Sequence, residues 1–120
     1  MNLAKLERIV IAGVGLLGGS IGHAVRAAGF AGVRVGVGRR ASSLEKALAC
    51  DAVDEVTLDP AEGVRGAQLV ILCTPISQME AMFRRIAPAL SRGAYVTDVG
   101  STKARVVQLD GAHTLEFELD

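Results

Sequence analysis

The sequence predicts an α/β domain: a doubly wound parallel sheet with helices on both faces. Three observations support this. Short Val- and Ile-rich runs recur, they alternate with stretches of helical spacing, and a cluster of glycines follows directly on the first run. With 120 residues, half of them hydrophobic, the chain has the material for one domain with a real core.

The first run, RIVIA at 8–12, has the length and β-branched content of a buried strand, as do 33–37, 69–74 and 95–99. Helical spacing occupies 16–28, 44–49 and 79–90. Ser42 and Ser43 ahead of Leu44 and Glu45 predict a helix start, and Ser77 with Glu80 three residues on matches a capping box. A weaker strand is predicted at 54–58 ahead of Pro60, and residues 61–67 read either as one short helical turn or as a loop. In the tail, Leu115, Phe117 and Leu119 alternate with Thr114, Glu116 and Glu118, the pattern of a strand with one covered face that closes the sheet as an edge. The expectation is a single domain over 1–120 with an atypical tail at about 108–120.

Thirteen Lys and Arg balance thirteen Asp and Glu, which removes the broad electrostatic case for nucleic acid or an anionic membrane and makes any anion site local. Cys50 and Cys73 are read as reduced and structural, Cys73 lying inside an apolar run. Glu7 and Arg8 interrupt the amino-terminal apolar stretch too early for a signal peptide, so a cytoplasmic location is expected. No metal site is read from the sequence.

The glycines carry the chemistry. In an element interior each costs about 0.5–1 kcal/mol relative to alanine, so the cluster from Gly13 to Gly22 needs a reason. Gly13-Val14-Gly15-Leu16-Leu17-Gly18 is G-x-G-x-x-G between a strand and a helix, the phosphate-binding turn of a Rossmann-type dinucleotide site. Gly13 permits the tight turn, Gly15 lets backbone approach a pyrophosphate, and Gly18 lets helix pack on sheet. Gly19, Ser20 and Gly22 are expected to extend that packing. About 20 residues on, an acidic residue would take the ribose 2′-hydroxyl of NAD. Here Gly38 stands at that place, followed by Arg39, Arg40, Ser42 and Ser43, whose charge and hydroxyls suit a 2′-phosphate. The predicted cofactor is NADP in preference, with NAD as the alternative.

GVGLLGGSIG at 13–22, CTP at 73–75 and DVGSTK at 98–103 resemble, in order and spacing over residues 8 to about 107, the nucleotide-binding domain of the prephenate and arogenate dehydrogenase family. That resemblance implies an oxidative decarboxylation in tyrosine biosynthesis, with hydride passing to the nicotinamide, carbon dioxide lost and the ring aromatised. It implies that Thr74 and Pro75 line the cofactor site, and that Ser101 lies near the nicotinamide and hydrogen-bonds a catalytic histidine. From the residues alone, Ser101 follows a strand's carboxyl end and its hydroxyl both donates and accepts, but a helix N-cap explains it as well. Lys103 and Arg105 are expected to be solvated helix positions.

The family's histidine-proline pair and helical substrate domain are not found in these residues. His23 reads as a helix side chain, and His113 lies at the amino end of its strand, away from the ligand edge. The expectation is therefore a cofactor-binding domain that is incomplete as a catalyst by itself, with prephenate or arogenate as substrate of a complete enzyme. Self-association through apolar surface near the last helix is also expected. Two other readings stand beside it: a free-standing NAD(P)-sensing module, and another hydride-transfer dehydrogenase on the same fold.

Overall fold

Five parallel strands alternate with four helices. The computed structural model describes residues 3–98, 104–110 and 113–119. In chain order these form β1 (Arg8–Ala12), α1 (Leu16–Ala27), β2 (Val33–Val37), α2 (Ala41–Ala49), β3 (Glu55–Thr57), α3 (Pro60–Val64), β4 (Leu69–Leu72), α4 (Ile76–Ile86), β5 (Tyr95–Asp98), β6 (Ala104–Asp110) and β7 (His113–Leu119). The sheet order is β3-β2-β1-β4-β5-β6-β7. β1 to β5 are parallel, while β6 and β7 are antiparallel additions. From β1 the chain winds outward through β2 and β3, then returns to lay β4 on β1's other side, so the switch point lies between β1 and β4.

The strands at the switch point are buried on both faces, and alternate residues feed two cores. Val10, Ala12, Val35, Val37, Val70 and Leu72 pack with Val64 and Ile86 from α3 and α4. Ile9, Ile11 and Ile71 turn the other way, towards Val25 of α1 and Leu44 of α2. Each such side chain contributes about 1.5–3 kcal/mol by leaving water.

Helix ends explain where the chain turns. Past α1, the Gly29 amide donates to Arg26 O at 3.2 Å and the Phe30 amide to Val25 O at 3.0 Å, with Gly29 at φ +105°. This is a Schellman stop, completed by Phe30 packing in one cluster with Val25. α2 stops the same way: the Ala52 amide reaches Ala47 O at 2.9 Å, and Asp51 takes the left-handed position at φ 60° that glycine usually fills. Asp59 caps α3, accepting from the Ala61 amide at 3.1 Å, with Pro60 in the first helical position.

Several expectations are corrected. α2 begins at Ala41 behind an extended Arg40, so Ser42 and Ser43 lie inside the first turn and do not start the helix. α4 begins at Ile76 behind Pro75, and Ser77 makes no cap. In both cases the strand–loop geometry brings the chain into helix before the serine is reached. Arg105 lies in β6, not on a helix; its strand pairs with β5 and β7, and long-range pairing overrides local helical spacing. Lys103 lies outside the described residues. β7 is the edge strand, as its alternation implies, and His113 pairs with Asp110 at the hairpin end nearest β5's amino terminus.

Candidate functional site

At the carboxyl edge, β1, β2 and β4 end side by side. The Gly13 amide donates to Val37 O at 2.7 Å and the Cys73 amide to Ala12 O at 2.8 Å, tying the three exits together. Gly13 has φ +100°, and a Cβ there would stand 3.1 Å from the Cys73 carbonyl carbon. A Cβ on Gly18 would stand 2.3 Å from the Gly13 oxygen. The fold itself therefore demands these two glycines.

Gly15 differs. It is exposed, its φ is −95°, and a Cβ on it would meet nothing within 4 Å. No protein atom requires glycine there. It is also the N-cap of α1 and makes no side-chain cap, so the first-turn amides that begin with Leu16 and Leu17 have no side-chain acceptor from the cap.

The turn forms one wall of a cleft of about 430 Å³. Val37, Gly38, Arg39, Arg40 and Ser43 form a second wall, Leu58 and Pro60 a third, and Cys73, Thr74 and Pro75 the floor. α4 closes it with Gln78, Ala81, Met82 and Arg85, spaced i, i+3, i+4, i+7 on one helix face. Ser42 is exposed and does not line the cleft; successive helical residues point about 100° apart, and Ser43 takes its place. Ser101 lies outside the described residues.

Thr74 is 9% exposed, and its Oγ1 has no hydrogen-bond partner among the described residues. Leaving such a group unpaired costs about 1–3 kcal/mol, which a hydroxyl- or amide-bearing ligand in the cleft would recover. Arg39, Arg40 and Arg85 are exposed and form no ion pair with described residues, so a neutral chain concentrates positive charge at this rim. Burial pushes the Cys73 thiol up to about 11, so it lines the cleft as a neutral group. Leu58, 55% exposed, adds an apolar surface suited to a flat ring.

The arrangement can hold a diphosphate against the start of α1 and an aromatic base between Leu58 and Met82. No histidine or carboxylate is among its described lining residues.

Known proteins agree with this geometry. The profile of the family described as "Prephenate dehydrogenase, nucleotide-binding domain" matches residues 21–114. The chain belongs to the prephenate dehydrogenase nucleotide-binding domain family. It is 34% identical over 107 residues to cyclohexadienyl dehydrogenase of Zymomonas mobilis, covering 88% of this chain and 36% of that protein. It is 35% identical over 109 residues to prephenate dehydrogenase of Bacillus subtilis, covering 89% and 29% respectively. The chain thus spans about a third of the length of these relatives. Among solved structures, prephenate dehydrogenase from Aquifex aeolicus in complex with hydroxyphenyl propionate and NAD+ superimposes with TM-score 0.75 at 30% identity, covering 82% of this chain and 35% of that one. The resemblance drawn from GVGLLGGSIG, CTP and DVGSTK is borne out at the level of family and fold. Among the described residues, no helix is long and apolar enough to cross a membrane.

The structure also reveals what periodicity hid. Arg34, in the apolar run VRVGV, is 1% exposed. Its guanidinium binds Asp54 through both oxygens at 3.1 and 3.2 Å, donates to Gly22 O of α1 at 3.1 Å and reaches Asp51 at 3.3 Å. Arg26 adds a further bond to Asp54 at 2.8 Å. Hydrogen bonding from Arg34 outweighs desolvation and holds the Asp54 carboxyl below its usual range, and the same bond raises Arg34. The network fixes α1, and with it the glycine turn, against β2. Arg85, Gln78 and Met82 were equally unforeseen; their signal was the i, i+3, i+4, i+7 spacing, which is legible only once α4's inner face is known.

Proposed function

We propose that this domain binds a nicotinamide dinucleotide in the cleft at the glycine turn, NADP in preference to NAD. The carrying observation is Gly15: a glycine that no atom of the protein requires, set where the start of α1 faces the cleft. Gly13, Gly15, Leu16, Leu17 and Gly18 hold the diphosphate, Thr74 and Pro75 line the floor, and Gly38, Arg39 and Arg40 meet the adenosine ribose. Ser43 takes the part first given to Ser42. The Aquifex relative in complex with NAD+ supports the dinucleotide. The exposed arginines, and the glycine where NAD would want a carboxylate, support the 2′-phosphate.

In a complete enzyme a nicotinamide held here would supply the hydride acceptor for the oxidative decarboxylation and aromatisation of prephenate or arogenate, a step of tyrosine biosynthesis. The cleft orients the cofactor and excludes water from one face. By the family resemblance, Ser101 would hydrogen-bond the histidine that takes the substrate's hydroxyl proton.

The test is a titration of the folded chain with NADPH and with NADH, followed by nicotinamide fluorescence. NADPH should bind roughly tenfold tighter, the equivalent of one charge-assisted hydrogen bond of about 1.4 kcal/mol. A folded chain that binds neither would refute the proposal. Tighter binding of NADH would refute the NADP preference alone.

A further inference from the structure

A second groove, of about 440 Å³, runs between α1 and α2 on the other side of the glycine turn. Gly19 forms part of its floor. A Cβ on Gly19 would make only an ordinary contact, 4.0 Å from the Ala52 Cβ, whereas one on Gly22 would stand 2.0 Å from the Ala52 oxygen. Gly22 therefore belongs to the packing and Gly19 does not, although sequence reading grouped them. Ser20, grouped with them too, is exposed.

His23 of α1 and Lys46 of α2 line the groove from facing helices; both are exposed, and neither side chain forms an ion pair or hydrogen bond with a described residue. No carboxylate is among the lining residues. Two cationic or donor groups thus face one groove with nothing of opposite charge in it, while every acidic partner of Arg26 and Arg34 lies elsewhere. Gly15 and Ser43 line both this groove and the dinucleotide cleft, so the two cavities share a rim.

We infer that the α1–α2 groove is a phosphomonoester site, with Lys46 and His23 as its donors and Gly19 keeping it open. Two sources supply that chemistry. One is the 2′-phosphate of a dinucleotide seated at the turn, reaching across the shared rim; this arm rests on the proposed cofactor reading. The other is a free phosphorylated small molecule, and this arm does not.

The experiment compares wild type with Lys46→Ala and with the double variant His23→Ala/Lys46→Ala, leaving Arg39 and Arg40 intact. Each is titrated with NADPH, NADH and inorganic phosphate, and amide shifts of Gly19 and Ala47, both lining the groove, are followed by NMR. Both residues are exposed, so the variants should melt like wild type. A tenfold or greater loss for NADPH with NADH unchanged assigns the groove to the 2′-phosphate. Unchanged NADPH with loss of the phosphate-induced shifts assigns it to a free phosphoester. Equal losses for NADPH and NADH, or no change with any ligand, overturn the inference. Wild-type NADH that fails to bind would refute the cofactor reading separately, leaving the phosphate arm readable.

Discussion

Gly15→Asp should stabilise the helix it begins and abolish the dinucleotide binding proposed for its start. The new Cβ meets nothing within 4 Å, and Gly15 already has the extended backbone of an N-cap. Aspartate is a better N-cap than glycine, by a few tenths of a kcal/mol, and its charge complements the helix dipole. The melting temperature should therefore hold or rise slightly. The same carboxylate would stand where a pyrophosphate approaches. Two unit charges about 4 Å apart repel by roughly 4 kcal/mol near a protein surface, about a thousandfold in affinity. Gly18→Ala is the mirror experiment. Its methyl would sit 2.3 Å from the Gly13 oxygen, against the 3.0 Å that real contacts reach, so turn and helix must part. Overpacking of this kind costs about 1–3 kcal/mol, partly offset by alanine's helix propensity. Thermal melts and fluorescence titrations on both variants separate ligand from fold. A folded Gly15→Asp protein with wild-type dinucleotide affinity would refute the reasoning.

Asp54 predicts acid sensitivity. Its folded pKa is depressed, so the stability it contributes is present well above the ordinary value near 3.8 and is lost as pH falls through the lower folded value. Asp54→Asn should flatten that acid limb in urea melts and cost about 3 kcal/mol at neutral pH, the low end for breaking a buried pair because Asp54 is one-third exposed; an unchanged acid limb would contradict the assignment. The two cysteines should differ in reactivity. Exposed Cys50 should react with a thiol reagent in the native chain, while Cys73, held near 11 by burial, should react only on unfolding; equal native rates would count against this. Gly38→Asp should move preference towards NADH, at some cost in stability because its Cβ would lie 3.0 Å from Leu44 Cδ2. An unmoved NADPH to NADH affinity ratio would show that β2's end does not read the ribose.

Much of the molecule was legible in one dimension because the determinants are local or periodic. Strand length and β-branching located β1 and β2 to the residue, and the G-x-G-x-x-G spacing placed the turn, since a tight strand-to-helix reversal constrains backbone φ within a few residues. Asp59-Pro60, a capping carboxylate followed by proline in the first helical position, marks the start of α3 in the sequence itself.

Other features exist only across elements. Arg34 was hidden because an arginine in an apolar run reads as solvated until the Gly22 carbonyl of α1 and Asp51 and Asp54 of the α2–β3 connection are brought to it. β6 escaped because a strand added to a sheet edge draws its hydrogen bonds from a distant partner, not from its own spacing. The division of labour among the glycines was likewise undecidable from sequence. Gly13 and Gly18 are held by neighbouring atoms, whereas a Cβ on Gly15 would meet open space and one on Gly19 only an ordinary contact. The sequence by itself determined the alternation of elements and the chemistry of the turn, through local backbone preference and burial. Only the tertiary structure decided which of those residues serve the protein's own packing and which face a cavity, because that depends on what lies within a few ångströms in space.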